Sequence, residues 1–401
     1  MVGGGVGCHA MVYLEERHGG DVMLPLTPMG AEGVPWIGAE RFASASHMFQ
    51  NLGDGTLTHS GSLAIRSCIA ADASITFKIL FNSAVAMTGG QHVTGVTTVP
   101  DLTRELEAMG VRRIIVTADD PDKYGRRARW APGVKLWHRD RLRDAEEELA
   151  EVHGVTALIY DQRCAAEARR LRKRGKLPRP ATRAMINTAV CEGCGDCQVK
   201  SNCLSVVPID TPLGRKTQIH QSSCNQDLTC LDGDCPSFLE VYGSDDAQQL
   251  SPRELAAPPS DFPEPPQAAP SDHFDSYMVG IGGTGVVTIN RLLGTAAMKD
   301  GWAITGLDQT GLSQKAGSVV SHLRARRGSI APTNTVGPGS ADVYFAFDAL
   351  AGSEARHLEQ VSSDSTVAVV SLSMAPTSAV ITSPFSSMPA TRALTADIER
   401  A

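Results

Sequence analysis

The 401-residue sequence has no run of about 18 consecutive apolar residues, so no stretch of it suits a membrane-crossing helix. It has no excess of basic charge: 37 Lys and Arg stand against 44 Asp and Glu, for a net charge of −7. That balance argues against nucleic acid as a partner. Aromatic residues are sparse, at 5%. The opening Met1-Val2-Gly3-Gly4-Gly5-Val6 lacks the basic-then-apolar layout of a secretory signal, which points to the cytoplasm. Disulfides are not expected in that reducing compartment, and this bears on the cysteines. Of ten, seven fall between Cys191 and Cys235, a clustering that points to a metal.

Glycine (38) and proline (23) are abundant, and the chain is too long for one typical domain. Ile75 to Phe81, Arg113 to Thr117 and Thr156 to Tyr160 are rich in β-branched or aromatic residues and read as strands. Arg139 to Val152 reads as a helix between the last two. Such alternation predicts an α/β fold with a parallel sheet over residues 1–185. A basic helix from Cys164 to about Lys176 precedes a cysteine-rich segment, residues 186–245. Residues 246–274 form a Pro-rich linker, with Pro258-Pro259 and Pro265-Pro266 among seven prolines. A second α/β pattern occupies residues 275–401, from a strand near Tyr277 through Val343–Phe347 and Thr366–Leu372.

The first chemical signal is Gly53-Asp54-Gly55-Thr56, with Asn82 28 residues beyond Asp54 near the end of the next strand. A diphosphate carries several negative charges and needs Mg²⁺, which prefers oxygen ligands. Asp54 can give a carboxylate oxygen, Asn82 a side-chain carbonyl, and the backbone near Ala84 a third. Flanking glycines let N–H groups approach phosphate, and a following helix adds its positive end. Gly-Asp-Gly alone is simply good turn chemistry. With Asn82 at the spacing of thiamine enzymes, the diphosphate reading prevails. Gly7, Cys8 and His9 form a glycine-rich turn that fits the same site, and Thr88-Gly89-Gly90-Gln91 could shape the loop over it. Singly, Cys8 reads as a small buried apolar residue, and His9 and His59 as structural or solvated.

Cys191-x2-Cys194-x2-Cys197 resembles the start of a ferredoxin ligand run, with the Cys-Pro arriving late at Cys235-Pro236. Cys203, Cys224 and Cys230 lie between. The rival is a tetrahedral zinc site, but seven cysteines exceed what one zinc needs. They are one short of two all-cysteine [4Fe–4S] clusters. One cluster is expected; Cys203, Cys224 and Cys230 leave room for a second, without an identified eighth ligand. The basic run Arg169-Arg170-Leu171-Arg172-Lys173-Arg174 reads either as a solvated helix face or as a surface that steers an acidic ferredoxin. Gly280-Ile281-Gly282-Gly283-Thr284-Gly285 fits the dinucleotide pattern, with Asp308 where the ribose-binding acid would stand. The run from Leu312 to Arg324 has no place in a simple dinucleotide fold.

Together these residues resemble the long-chain indolepyruvate ferredoxin oxidoreductases, of the 2-oxoacid:ferredoxin oxidoreductase superfamily. The resemblance rests on Gly7-Cys8-His9, Met29-Gly30-Ala31-Glu32-Gly33, Phe49 to Thr56, His59-Ser60-Gly61, Ala84 to Gln91, Tyr160-Asp161-Gln162, the cysteine segment, Gly282 to Val287, Gln314-Lys315 and Ser321-His322. It implies a thiamine diphosphate domain (1–185) binding the diphosphate half, a ferredoxin-like iron–sulfur segment (186–245), and a γ-type domain (275–401) expected to stop early. The implied reaction is oxidative decarboxylation of an aryl 2-oxo acid, such as indolepyruvate, to an acyl-coenzyme A, with electrons passing to ferredoxin. Thiamine diphosphate, Mg²⁺ and [4Fe–4S] are the implied cofactors. The domain that would contact the pyrimidine ring and supply the activating glutamate is not recognised, so the catalytic residues are unassigned. The expectation is a fragment, a homo-oligomer or a subunit that borrows the missing half from a partner. A chain that carries clusters without turning over substrate is the alternative. Ser362 to Ala401 is expected to fit the family poorly.

Overall fold

A computed structural model describes residues 1–7, 9, 23–24, 26–85, 91–95, 98–201, 203–242, 272–310, 317–377, 380–381 and 386–401. Cys8, Ala86 to Gly90, most of the Pro-rich linker and Gln314-Lys315 lie outside the described residues. The chain folds as two compact units, Met1–Leu171 and Arg172–Ala401.

The first unit is built on β1 (Val2–Gly3), β2 (Met23–Leu24), β3 (Met48–Gly53), β4 (Ile75–Phe81), β5 (Arg113–Ala118), β6 (Lys135–His138) and β7 (Val155–Asp161). They form one sheet in the order β2-β1-β3-β4-β7-β5-β6, and every pairing is parallel. A parallel sheet needs cover on both faces, so its strands read as near-continuous apolar runs. Successive side chains then serve opposite layers. Ile114, Val116, Ala157 and Ile159 join Phe77, Leu102 and Leu106 in one core. Ile115 and Leu158 turn to the other side and meet Ala145 and Leu149. Helix α1 (Val99–Met109) supplies Leu102 and Leu106, and α2 (Leu142–Ala150) supplies Ala145 and Leu149. The start of α1 follows from its sequence: Thr98 caps it by accepting the Asp101 N–H at 3.3 Å, and Gly110 ends it at φ 105°. The helix expected over Arg139–Val152 opens with a 3₁₀ turn at Arg139–Arg141 before α2.

The second unit begins with a small cysteine-rich module. β8 (Thr182–Ile186) pairs antiparallel with β11 (Phe238–Tyr242), and β9 (Val206–Thr211) with β10 (Gly214–Ile219). Its core is Ala184, Ile186, Cys191, Val206 and Ile219, with Cys197, Cys203, Cys224 and Cys230 packed around them. Thiols therefore occupy much of what would otherwise be aliphatic core. Further along, β12 (His273–Ile281), β13 (Ala303–Thr310), β14 (Ser318–Arg326), β15 (Val343–Ala346) and β16 (Val367–Val370) make a mixed sheet in the order β13-β14-β12-β15-β16. β14 runs antiparallel to both β12 and β13, while β15 and β16 run parallel to β12. Helix α3 (Val286–Lys299) follows the glycine-rich turn after β12.

Candidate functional site

β1 lies between β2 and β3, so the chain passes first to one side of it and then to the other. In open parallel sheets this reversal leaves a crevice outside the carboxyl ends of the two strands, where ligands bind. Gly4 to Gly7 leave β1 at that edge, and Asp54 leaves β3. A Cβ at Gly5 would stand 2.9 Å from Glu32 Cγ and 3.2 Å from the Asn51 carbonyl oxygen. At Gly30 a Cβ would meet Ser60 at 2.9 Å. The glycine-rich turn, the Met29–Gly33 stretch, Asn51–Asp54 and His59–Gly61 thus converge at one place. The helical stretch from Asp54 to Ala70 contains a π-turn over Leu57–Gly61, a feature common at functional sites.

Asp54 is buried, at 4% exposure. Its Oδ1 accepts the Gly55 N–H at 2.8 Å, and its Oδ2 accepts those of Asn82 at 3.0 Å and Ser83 at 2.6 Å. Ser83 sits in the left-handed region, at φ 57°, at this turn. The Asn82 Oδ1 accepts the Ala84 N–H at 2.9 Å. Burial pushes the Asp54 carboxyl above its usual range, against the backbone N–H groups of Asn82, Ser83 and Gly55. Asp54, Asn82, Gly55 and Ala84 are therefore brought together, with lone pairs on Asp54 and Asn82 left for a cation. Among the described residues no three of His, Cys, Asp and Glu gather as ligands of one metal ion would.

Two polar atoms beside this site have no partner. Glu32 is wholly buried; its Oε2 accepts the Gly30 N–H at 2.7 Å, while its Oε1 has none. The His9 Nε2 is likewise buried and unpartnered. Burial lowers the His9 ring's proton affinity, against a hydrogen bond with the Gly5 backbone. An unmet buried polar atom costs about 1–3 kcal/mol, so such atoms suit a pocket completed by a bound group. The sequence singled out Glu32 only within the resemblance. Its signal, a Glu two residues from one glycine and next to another, becomes meaningful only once the Gly5 loop is seen against it.

Of a further group at the same edge, the sequence singled out Asp161 and Gln162 only within the resemblance, and Lys123 and Tyr124 not at all. Asp161, the last residue of β7, accepts the Tyr124 hydroxyl and the Lys123 Nζ, the latter at 2.8 Å. Lys123 also meets Asp119 at 3.1 Å, and Gln162 donates its N–H to the Phe81 carbonyl at 3.2 Å. Burial raises the Tyr124 phenol, and the Asp161 carboxylate adds to the rise. Tyr160-Asp161-Gln162 therefore ends beside Phe81, the last residue of β4, which Asn82 follows.

In the second unit all seven clustered cysteines are free and line one cavity of about 920 Å³. They sort into two groups. Cys191, Cys194 and Cys235 lie near Cys197, whose thiol burial pushes up. Cys224 and Cys203 lie beside Cys230, whose thiol burial pushes up to about 11. The Cys191 Sγ accepts the Gly193 N–H at 3.4 Å, and the Cys224 Sγ accepts the Gln226 N–H at 3.3 Å. Gly193 can do this because it sits at φ 73°, where a Cβ would stand 2.2 Å from the Arg215 carbonyl oxygen. N–H groups aimed at thiolate sulfur are one of the means by which proteins tune iron–sulfur clusters. Of the basic run, Arg172 donates to the Asn225 carbonyl at 2.6 Å and Arg170 pairs with Glu167 at 3.2 Å.

The glycine turn after β12 is not a dinucleotide site in this geometry. Asp308 lies on β13, separated from β12 by the antiparallel β14, where a dinucleotide fold places the acid on the parallel strand next to the first. Asp308 is already held by the Asn290 Nδ2 at 2.8 Å and the Ser321 hydroxyl at 2.6 Å.

Residues 275–398 match the family pyruvate ferredoxin/flavodoxin oxidoreductase. That region is thus similar to a domain of the 2-oxoacid:ferredoxin oxidoreductases, and the curated relatives are similar to part of the chain. The match runs past Ser362 almost to the last residue, which corrects the expectation that the end of the sequence departs from the family. Indolepyruvate oxidoreductase subunit IorB of Pyrococcus horikoshii is 35% identical over 75 residues, 19% of this chain and 36% of that protein. The subunit of the same name from Methanothermobacter thermautotrophicus is 31% identical over 114 residues, 28% of this chain and 54% of that protein. The chain thus spans between about a third and about half of these relatives' length. The solved pyruvate oxidoreductase subunit PORC of Thermotoga maritima is similar at 16% identity and a TM-score of 0.20, over 24% of this chain and 49% of that one.

Proposed function

We propose that the chain takes part in the oxidative decarboxylation of an aryl 2-oxo acid of the indolepyruvate kind, giving an acyl-coenzyme A and passing electrons through [4Fe–4S] to ferredoxin. The observation that carries the reading is the juxtaposition of Asp54 and Asn82 at the strand-order reversal of a parallel sheet. Asp54 and Asn82 would hold Mg²⁺ through one carboxylate and one amide oxygen. The Gly53–Gly55 turn and Gly4 to Gly7 let backbone approach a diphosphate, and Glu32 and His9 face it with unmet polar atoms. Bound thiamine diphosphate supplies the electron sink for decarboxylation.

In the second unit Cys191, Cys194, Cys197 and Cys235 would hold one cluster, and Cys203, Cys224 and Cys230 belong to a second. A single zinc draws its thiolates to about 3.8 Å from one another, given Zn–S bonds of about 2.3 Å in a tetrahedron. Seven cysteines line one cavity, more than the four that such a site takes, which suits clusters better. A partner-dependent subunit is the second reading, favoured because the curated relatives are themselves named as subunits. Calorimetry of the full chain with Mg²⁺ and thiamine diphosphate tests the site. The wild type is expected to bind, and Asp54→Ala to bind at least about tenfold more weakly, a change of about 1.4 kcal/mol. Equal affinity in the two proteins would sink the assignment.

A further inference from the structure

We propose that the three-cysteine group Cys203, Cys224 and Cys230 completes its ligand set with the carboxylate of Asp227, so that its cluster has one oxygen-held iron. The inference rests on the iron–sulfur reading of this segment. Two cubane clusters require eight protein ligands, and the seven cysteines divide four and three. One group is complete; the other is one short.

The missing ligand has to come from the cavity wall. The carboxylates there are Glu192, Asp196, Asp227 and Asp234. Glu192, Asp196 and Asp234 adjoin Cys191, Cys197 and Cys235 in the chain, and so belong beside the complete group. Asp196 is moreover paired with Lys200 at 2.8 Å. Asp227 alone of the four lies on the loop between Cys224 and Cys230, and it is among the neighbours of the Cys230 thiol.

That loop is built to hold its middle residue in place. Gln226 and Leu228 both sit in the left-handed region, at φ 57° and 62°, which non-glycine residues adopt only under constraint. Both strained residues make contacts with the thiols, since Gln226 donates to the Cys224 sulfur and Leu228 packs its side chain among the cysteines. Arg172 anchors the start of the loop through the Asn225 carbonyl. Asp227, between the strained pair, is held by the Thr229 hydroxyl at 3.4 Å, a long bond that leaves its oxygens available. A carboxylate is a competent but harder ligand than thiolate for iron, and Asp227 is exposed. Its iron is therefore the labile corner. On oxidation, [4Fe–4S]²⁺ gives one electron to ferricyanide, which becomes ferrocyanide, and releases that iron as Fe²⁺, leaving [3Fe–4S]⁺.

The test compares anaerobically prepared full-length wild type, Asp227→Ala and Asp227→Cys by iron and sulfide content and by EPR before and after mild ferricyanide. The wild type is expected to gain a three-iron signal on oxidation and to lose about one iron atom per chain. Asp227→Ala is expected to lack that iron before oxidation, and to gain the signal on oxidation without further loss of iron. Asp227→Cys is expected to resist forming it, with the signal of the other cluster unchanged in every protein. Identical iron content and spectra in all three would overturn the assignment. Loss of both clusters in both variants would also overturn it, making Asp227 a scaffold residue. Wild type without iron and sulfide would instead overturn the iron–sulfur reading beneath it.

Discussion

The Asp54 carboxylate accepts the backbone N–H of Asn82 at 3.0 Å, joining two loops 28 residues apart in the chain. The bond forms because β3 and β4 are parallel neighbours with Gly53 opposite Leu80, so their carboxyl ends reach the same edge together. Since the backbone of Asn82 makes the bond, its side-chain oxygen, which accepts the Ala84 N–H, keeps a second lone pair for a cation. Asn82→Ala is expected to keep the fold, with stability within about 1 kcal/mol of wild type by urea unfolding. It is expected to weaken Mg²⁺-dependent thiamine diphosphate binding, measured by calorimetry, at least about tenfold. A large loss of stability would show that the side chain serves the fold.

Glu32 gives a different signature. Its unpartnered Oε1 is sealed from water, so the ligand-free protein bears the cost of an unmet acceptor. Glu32→Gln retains an oxygen for the Gly30 N–H and removes the charge. We expect the ligand-free variant to be more stable by about 1 kcal/mol in chemical unfolding, and the extra stability conferred by thiamine diphosphate to shrink. If ligand stabilises both proteins equally, Glu32 lies outside the bound group's reach.

How much of this was legible in the sequence depends on how local each signal is. The β4 run Ile75-Thr76-Phe77-Lys78-Ile79-Leu80-Phe81 declares a strand by itself, and Asp54 with Asn82 declares a site by spacing. The Asp161 group could not be assembled from sequence, because Asp161 stands 37 residues from Tyr124 and only the fold brings it to Lys123 and Tyr124. Glu32 was visible as a motif residue, but its unmet oxygen is a property of tertiary burial. The run from Leu312 to Arg324 looked foreign to a dinucleotide fold because much of it forms β14, an antiparallel strand between β12 and β13. The grouping of Cys235 with Cys191, Cys194 and Cys197 was legible from its Cys-Pro, although Cys235 lies 38 residues after Cys197.

The cysteine-rich module has few aliphatic core residues, so on the iron–sulfur reading its cohesion is expected to depend on the clusters that its thiols would hold. Small domains of this kind gain folding energy from their metal. Anaerobic removal of iron by oxidant and chelator is expected to open residues 182–242 to limited proteolysis while Met1–Leu171 stays resistant. Equal resistance before and after removal would mean the module folds on its apolar contacts alone.

Asp275 sets an acid limit on the second unit. Burial pushes its carboxyl up, but Arg326 at 2.6 Å and Arg324 at 2.9 Å outweigh it and hold the group below the usual carboxylate range. A carboxyl depressed in the folded state stabilises fully above its unfolded pKa, near about 3.9, and loses that contribution as pH falls through the lower folded value. Stability is therefore expected to fall below about pH 4, and Asp275→Asn to flatten that part of the profile while lowering stability at neutral pH. Thermal unfolding across pH, wild type against variant, measures both effects.

The reaction itself is tested most directly by reduction of a viologen dye under anaerobic conditions. The chain is supplied with Mg²⁺, thiamine diphosphate, coenzyme A and indolepyruvate, with and without a candidate partner bearing the second thiamine domain. Dye reduction that needs indolepyruvate and thiamine diphosphate together, and that Asp54→Ala abolishes, is the predicted result. No reduction in either mixture, from a chain whose clusters dithionite readily reduces, would contradict the account.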